Sequence, residues 1–135
     1  MTEQSEKLSG HCACGAVSWK AGTTMNWAVL CHCADCRRVA SADYVSWFGV
    51  NREDLIWEGP RRFWNSSPGI TRSFCGECGT PLSYENDARA EETDLYAATL
   101  DKPQLYQPAA HTFWSERTAW LEFSDTLPKH AKSLP

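Results

Sequence analysis

The sequence predicts an all-β fold, and three observations carry that expectation. Short runs rich in aromatic and β-branched residues follow one another along the chain, separated by turn-forming residues at close spacing. No run holds an amphipathic helical period through three turns; the longest helical candidate, residues 85–93, is acidic and has no apolar face. The seven cysteines fall into three groups, Cys12/Cys14, Cys31/Cys33/Cys36 and Cys75/Cys78, at the ends of strand candidates, where metal knuckles set the chain's turns.

In chain order, residues 1–9 are polar, carry both signs of charge and are expected as a loose tail. The glycines of Gly10-His11-Cys12-Ala13-Cys14-Gly15 are expected to let the backbone turn tightly around two thiols. A strand follows over 16–20. Residues 26–30 form a second strand delivering Cys31, and 34–38 a single helical turn that brings Cys36 back beside Cys33. Residues 44–50 have strand composition. Asn51 to Asp54 read as a capped turn into a strand at 55–57, which Gly59-Pro60 ends.

Strands over 61–65 and 70–74 flank the turn Ser66-Ser67-Pro68-Gly69. The second runs straight into Cys75-Gly76-Glu77-Cys78-Gly79, and residues 80–84 leave it, which makes a strand–knuckle–strand hairpin of zinc-ribbon type. Beyond an acidic loop or short exposed helix at 85–93 come strand candidates at 95–100, 111–114 and 118–123, then a tail over 128–135. With no repeat, low-complexity tract or linker, residues 10–127 read as one domain. Many of the seven tryptophans lie in these strands and are expected to fill the core, with one or two free to line a ligand groove.

Charge narrows the function classes. The formal net charge is -4, and thiolates holding divalent ions would make it more negative. Arginines adjoin only as Arg37-Arg38 and Arg61-Arg62, so a nucleic-acid partner, which needs cationic charge on phosphate, is not expected. The polar N-terminus has no apolar stretch to act as a signal peptide, and no run reaches the roughly 18 apolar residues of a membrane span. A reducing cytoplasm is the expected compartment. Metal ligation by the odd number of cysteines is then favoured over disulfides.

Four plus three is the arithmetic of the metal sites. Cys12, Cys14, Cys75 and Cys78 can close one tetrahedral structural zinc site, while Cys31, Cys33 and Cys36 leave a second zinc with an open position. The competing readings are specific. A redox CxxC belongs at a helix N-terminus in an α/β setting, which is absent. The first pair could be small buried hydrophobes, and joining Cys75 and Cys78 to the 31–36 group would strand that pair. The middle group could be a second structural site completed by a histidine, carboxylate or water. His32, between two ligands, is expected to point away from the ion. His111 reads as a core histidine or a general base, and Arg37, Arg38 and Arg72 as surface charges or as partners of a substrate carboxylate.

Three motifs now stand together: Gly10-x-Cys12-x-Cys14-Gly15-x-Val17, Cys31-His32-Cys33-x-x-Cys36-Arg37, and Arg72-x-Phe74-Cys75-x-x-Cys78-Gly79-Thr80-x-Leu82. With these motifs the chain resembles the glutathione-dependent formaldehyde-activating enzymes, and less sharply so through His111 and Trp120 to Leu127-Pro128. The resemblance implies a β-tent fold of several small coiled antiparallel sheets around zinc knuckles, shared with guanine-nucleotide exchange chaperones. It implies a structural zinc on Cys12, Cys14, Cys75 and Cys78, and a second, more labile zinc on Cys31, Cys33 and Cys36. It also implies carbon–sulfur lyase chemistry on a thiol adduct such as S-hydroxymethylglutathione, with glutathione or another small thiol as partner. Ser41 stands where many relatives carry glycine. The rival expectation is a non-enzymatic, zinc-stabilised module that binds a protein. A cavity beside the second site would favour the enzyme, and a flat exposed apolar patch elsewhere the module.

Overall fold

A computed structural model describes residues 2–3 and 6–135 of the chain. Its strands are β1 (Thr2–Glu3), β2 (Ser9–His11), β3 (Ser18–Lys20), β4 (Thr24–Met25), β5 (Trp27–Cys31) and β6 (Val45–Asn51). After them come β7 (Ile56–Glu58), β8 (Arg61–Ser67), β9 (Ile70–Cys75), β10 (Pro81–Asn86), β11 (Glu92–Tyr96) and β12 (Ala110–Thr112). One helix, α1 (Ala34–Ala40), lies between β5 and β6.

The architecture is β-dominant, but two parts of the sequence expectation are corrected. The sheets are not several small ones: a seven-stranded sheet in the order β12-β5-β6-β11-β10-β9-β8 carries most of the chain, beside a three-stranded sheet β2-β3-β7 and the pair β1-β4. Nor is the molecule all-β and antiparallel throughout. β12 runs parallel to β5, and α1 is a genuine helix of seven residues.

α1 begins at Cys33, whose sulfur accepts the Cys36 N–H at 3.2 Å in the place of an N-cap oxygen. It ends at Ser41, in the left-handed conformation with φ 52° and ψ 47°. Residues 85–93 are not the longest helix. They hold the end of β10, a single 3-10 turn at Asp87–Arg89 and the start of β11.

The core has two main parts. Leu8, Trp19, Met25, Phe48, Val50 and Leu95 pack under the sheets, and Val29, Val45, Trp47 and Tyr96 pack around Cys31 and Cys36. Burial of these large side chains contributes roughly 1.5–3 kcal/mol each. Gly10 serves close packing rather than a turn: a Cβ there would meet the Trp19 ring and the Thr99 carbonyl at 2.4 Å. The turning is done by Gly15 and Gly79, with φ of +80° and +81°.

Of the tail expected over 1–9, residues 1, 4 and 5 lie outside the described residues. Leu8 is fully buried, and its N–H donates to the Gly22 carbonyl at 2.9 Å. At the other end, residues 128–132 run along β12 and the turn beyond it. The His111 and Phe113 N–H groups donate to Pro128 and Lys132 there. No strand forms over 118–123; its side chains act singly, as described below. No helix among the described residues is long and apolar enough to cross a membrane.

Candidate metal centres

The closed set of thiols joins the two sheets. Cys12 and Cys14 lie in the turn between β2 and β3, which the Gly15 N–H closes onto the Cys12 carbonyl at 3.1 Å. Cys75 ends β9, and the knuckle to β10 is closed by the Gly79 N–H on the Cys75 carbonyl at 2.9 Å. The fold brings all four sulfurs within 4.8 Å of one another. Cys12 and Cys14 Sγ are 3.6 Å apart, and Cys14 and Cys75 Sγ 3.8 Å. With zinc–sulfur bonds of about 2.3 Å, the edge of a tetrahedron is roughly 3.8 Å, so the set fits such an ion.

Backbone donors complete the fit. The Val17 N–H reaches Cys12 Sγ at 3.3 Å, Ala16 reaches Cys14 at 3.4 Å, and Glu77 and Cys78 reach Cys75 at 3.3 and 3.4 Å. They offset the negative charge of clustered thiolates. The Thr80 hydroxyl, 3.1 Å from Cys78 Sγ, pulls that thiol down to about 5.

The second set comes from one short segment. Cys31 ends β5, Cys33 caps α1, and Cys36 lies in the first turn of α1, again with all three sulfurs within 4.8 Å. Cys31 and Cys36 Sγ are 3.7 Å apart. Hydrogen bonds from Cys31 and Cys36 hold the Cys33 thiol far below its ordinary range, while the bond to Cys33 drives Cys31 up to about 11 and the bonds to Cys31 and then Cys33, with burial, drive Cys36 up as well. Three sulfurs packed this way readily carry one negative charge and resist a second. A divalent cation removes that conflict, so this donor set also fits a soft metal such as zinc.

His32 does not join the thiols. It is fully buried, and its Nε2 lies 2.9 Å from Nδ1 of His111, which is fully buried too. His111 Nε2 is 3.0 and 3.1 Å from the carboxylate oxygens of Asp125. A carboxylate only accepts, so His111 donates to Asp125 from Nε2. Tyr44, Trp114 and Phe123 pack around the His32 ring, and burial holds its pKa down to about 4. This chain of rings fixes the loop between Cys31 and Cys33 against the C-terminal segment. Asp125 was missed in the sequence, where a lone acid near the chain end carries no signal. So was Glu116, whose carboxylate accepts the Ala34 N–H at 3.0 Å and so helps cap α1.

The two sets differ in what lies beside them. Cys31, Cys33 and Cys36 line a cavity of about 850 Å³, whereas no residue of the four-thiol set does. Val29 and the indoles of Trp27, Trp47 and Trp64 supply its apolar wall. Of the three arginines read as surface charges or as partners of a substrate carboxylate, Arg38 and Arg72 line the cavity. Arg37 instead braces the metal loop, donating to the carbonyls of His32 and Glu116 at 3.3 Å each. Arg89 also faces the cavity but is paired with Asp94, at 2.9 and 3.1 Å through its two terminal nitrogens.

A β-dominant domain with two cysteine clusters able to hold metal ions, one of them opening on a cavity, defines the class of protein. The glutathione-dependent formaldehyde-activating enzyme model matches residues 7–116, and the chain belongs to that family. A crystal structure of a Rhodobacter sphaeroides protein, a structural genomics target, shares the fold with a TM-score of 0.58. It is 23% identical, over 69% of this chain and 87% of that one. No curated protein matches the chain.

Proposed function

We propose that this protein is a zinc-dependent carbon–sulfur lyase-type enzyme acting on a thiol–aldehyde adduct of the S-hydroxymethylglutathione kind. One observation carries the reading: of the two thiol clusters, the one with a missing fourth donor is the one that faces the cavity. A structural site has no use for an open position beside a cavity large enough for a small molecule.

In this reading Cys12, Cys14, Cys75 and Cys78 hold the structural zinc, and Cys31, Cys33 and Cys36 the second. A zinc at the three-cysteine site would keep a substrate sulfur in its thiolate form at neutral pH. The chain's own residues do the rest. Cys33 and Cys36 are held at a fixed spacing by the helix cap, and Cys31 by the end of β5, so the vacant direction is set by the fold. The Trp47 and Val29 side chains remove water from one wall of the cavity and hold the carbon partner near the sulfur, an orientation effect worth several kcal/mol. In the addition direction the sulfur's electron pair forms the carbon–sulfur bond, and the carbonyl pair moves onto oxygen, which takes up a proton. Cleavage runs the same exchange backwards, returning thiol and aldehyde.

Cobalt substitution tests the reading, because the sulfur-to-metal charge-transfer band reports the number of thiolates bound. Added glutathione or another small thiol is expected to raise that band, and Cys33→Ala to abolish the rise. Product assays with a thiol and formaldehyde then follow carbon–sulfur bond formation. A protein loaded at both sites whose band responds to no thiol would overturn the proposal in favour of the protein-binding module.

A further inference from the structure

Arg72 is the cavity's unexplained charge. It sits in the middle of β9, with Trp64 of β8 and Tyr84 of β10 directly opposite on either side. Its side chain lies over the Tyr84 ring, with the guanidinium carbon 4.9 Å from the centroid, and lines the cavity that holds Cys31, Cys33 and Cys36. The residue is only 5% exposed.

Buried guanidinium groups are normally paired with a carboxylate, because taking the charge out of water is otherwise costly. Arg89, another arginine on the cavity and more exposed than Arg72, obeys that rule through Asp94. Arg72 does not. Among the described residues no carboxylate lies within salt-bridge distance of it; Nε donates to Ser66 Oγ at 2.9 Å, and the Tyr96 phenol also lies beside the guanidinium. Nη1 is buried with no acceptor at all.

Attraction to the nearby thiolates would balance the charge at long range, but it leaves Nη1 without an acceptor. The stacking on Tyr84 and the bond to Ser66 meanwhile fix the plane of the guanidinium, so the group is positioned before any ligand arrives. A planar guanidinium held in place with a free terminal donor at Nη1 is suited to a carboxylate.

Resting on the thiol reading above, we propose that Arg72 is the anion-recognising residue of the cavity and selects thiols that also carry a carboxylate. The ligand's sulfur is held at the three-cysteine site and its carboxylate accepts hydrogen bonds from the Arg72 guanidinium. Arg38, also on the cavity but exposed, is left to solvent, where it adds little to selectivity.

The test pairs thiols of matched size with and without the charge: mercaptoacetate against mercaptoacetamide, and 3-mercaptopropionate against its amide. Each is titrated into cobalt-substituted protein and read through the charge-transfer band. The carboxylates are expected to bind about 10- to 100-fold more tightly, the range of a charge-assisted hydrogen bond. Arg72→Gln is expected to weaken the carboxylates far more than the amides and so erase that preference, and Arg72→Lys to restore part of it. Equal affinity within each pair in the unaltered protein would overturn the assignment of Arg72 while leaving thiol binding intact, and needs no variant to fold. A uniform loss for acids and amides alike in Arg72→Gln would also overturn it, assigning the charge to the thiolate cluster itself. Binding of none of the four would bring down the thiol reading, and this inference with it.

Discussion

At the scale of single residues, strain and unpaired charge mark the positions where a substitution is informative. Ser41 holds a left-handed conformation at the end of α1, where its N–H and that of Ala42 close onto the Arg38 and Arg37 carbonyls at 3.3 and 3.1 Å. Glycine adopts that geometry freely, whereas a Cβ costs about 1–2 kcal/mol in this region. Part of the gain from removing it is offset by the added freedom of glycine in the unfolded chain. Ser41→Gly is therefore expected to stabilise the domain by about 0.5–1 kcal/mol, read as a higher melting temperature with both metals retained.

Asp94 is the opposite case, a buried carboxylate that depends on its partner. Burial raises its pKa to about 6 even though Arg89 draws it down. Its folded value thus lies above the unfolded one, so the protonated form favours folding, and that contribution is lost as pH rises from about 4 through about 6. Arg89→Gln leaves the carboxylate unpaired, and breaking a buried pair from one side costs about 3–5 kcal/mol; the partial exposure of Arg89 places this pair at the lower end. The loss is expected to be larger at pH 8 than at pH 5, where Asp94 can take a proton and shed its charge. Denaturant melts of the variant and the parent at the two pH values measure it. A loss independent of pH would place the damage in packing rather than in charge.

At the scale of elements, what the sequence shows and what it hides divide along locality. The β9–knuckle–β10 hairpin was legible because its signals are adjacent: alternating residues, two cysteines at knuckle spacing, and Gly79 where φ is positive. The grouping of the thiols was legible by counting, and the fold brings the same four and the same three together. α1 was underestimated because its stability comes from elsewhere. A sulfur cap at Cys33 and the carboxylate of Glu116, distant in sequence, replace the propensity and apolar periodicity that a short segment lacks. Residues 118–123 misled in the other direction. Their aromatic content reads as a strand, yet Phe123 caps the buried His32 and His111 rings while Trp120 remains 69% exposed and donates to Asp43. The long parallel return of β12 onto β5 could not be read from either strand alone, because parallel pairing leaves no turn signal between them.

At the scale of the whole molecule, the two clusters have unequal structural duties. The four-thiol set lies where the β2–β3 turn meets the β9–β10 knuckle, so an ion there ties the three-stranded sheet to the seven-stranded one across more than half of the described chain. Trp19 of β3 also packs on Phe48 and Leu95 of the large sheet, but close to the thiols the local core is small: Val17 and Leu82 besides the cysteines, with Trp57 packed against them. Apparent binding energies of structural zinc, about 10–16 kcal/mol, match or exceed the stability of an ordinary domain. The three-thiol set instead lies within one segment between β5 and α1, and its surroundings are held independently by Val29, Val45, Trp47 and Tyr96 and by the His32–His111–Asp125 chain. Cys78→Ala is therefore expected to unfold the domain or drive it to aggregate. Cys33→Ala should lose the second ion and about 1 kcal/mol of helix capping but keep the fold. Metal content by native mass spectrometry, with thermal melts in chelator-free buffer, separates these outcomes: two zinc ions in the parent, one in a folded Cys33→Ala, and no cooperative melt in Cys78→Ala. If Cys33→Ala proved the more damaging change, the three-thiol cluster would be the structural one, and the cavity beside it would lose its claim to the chemistry.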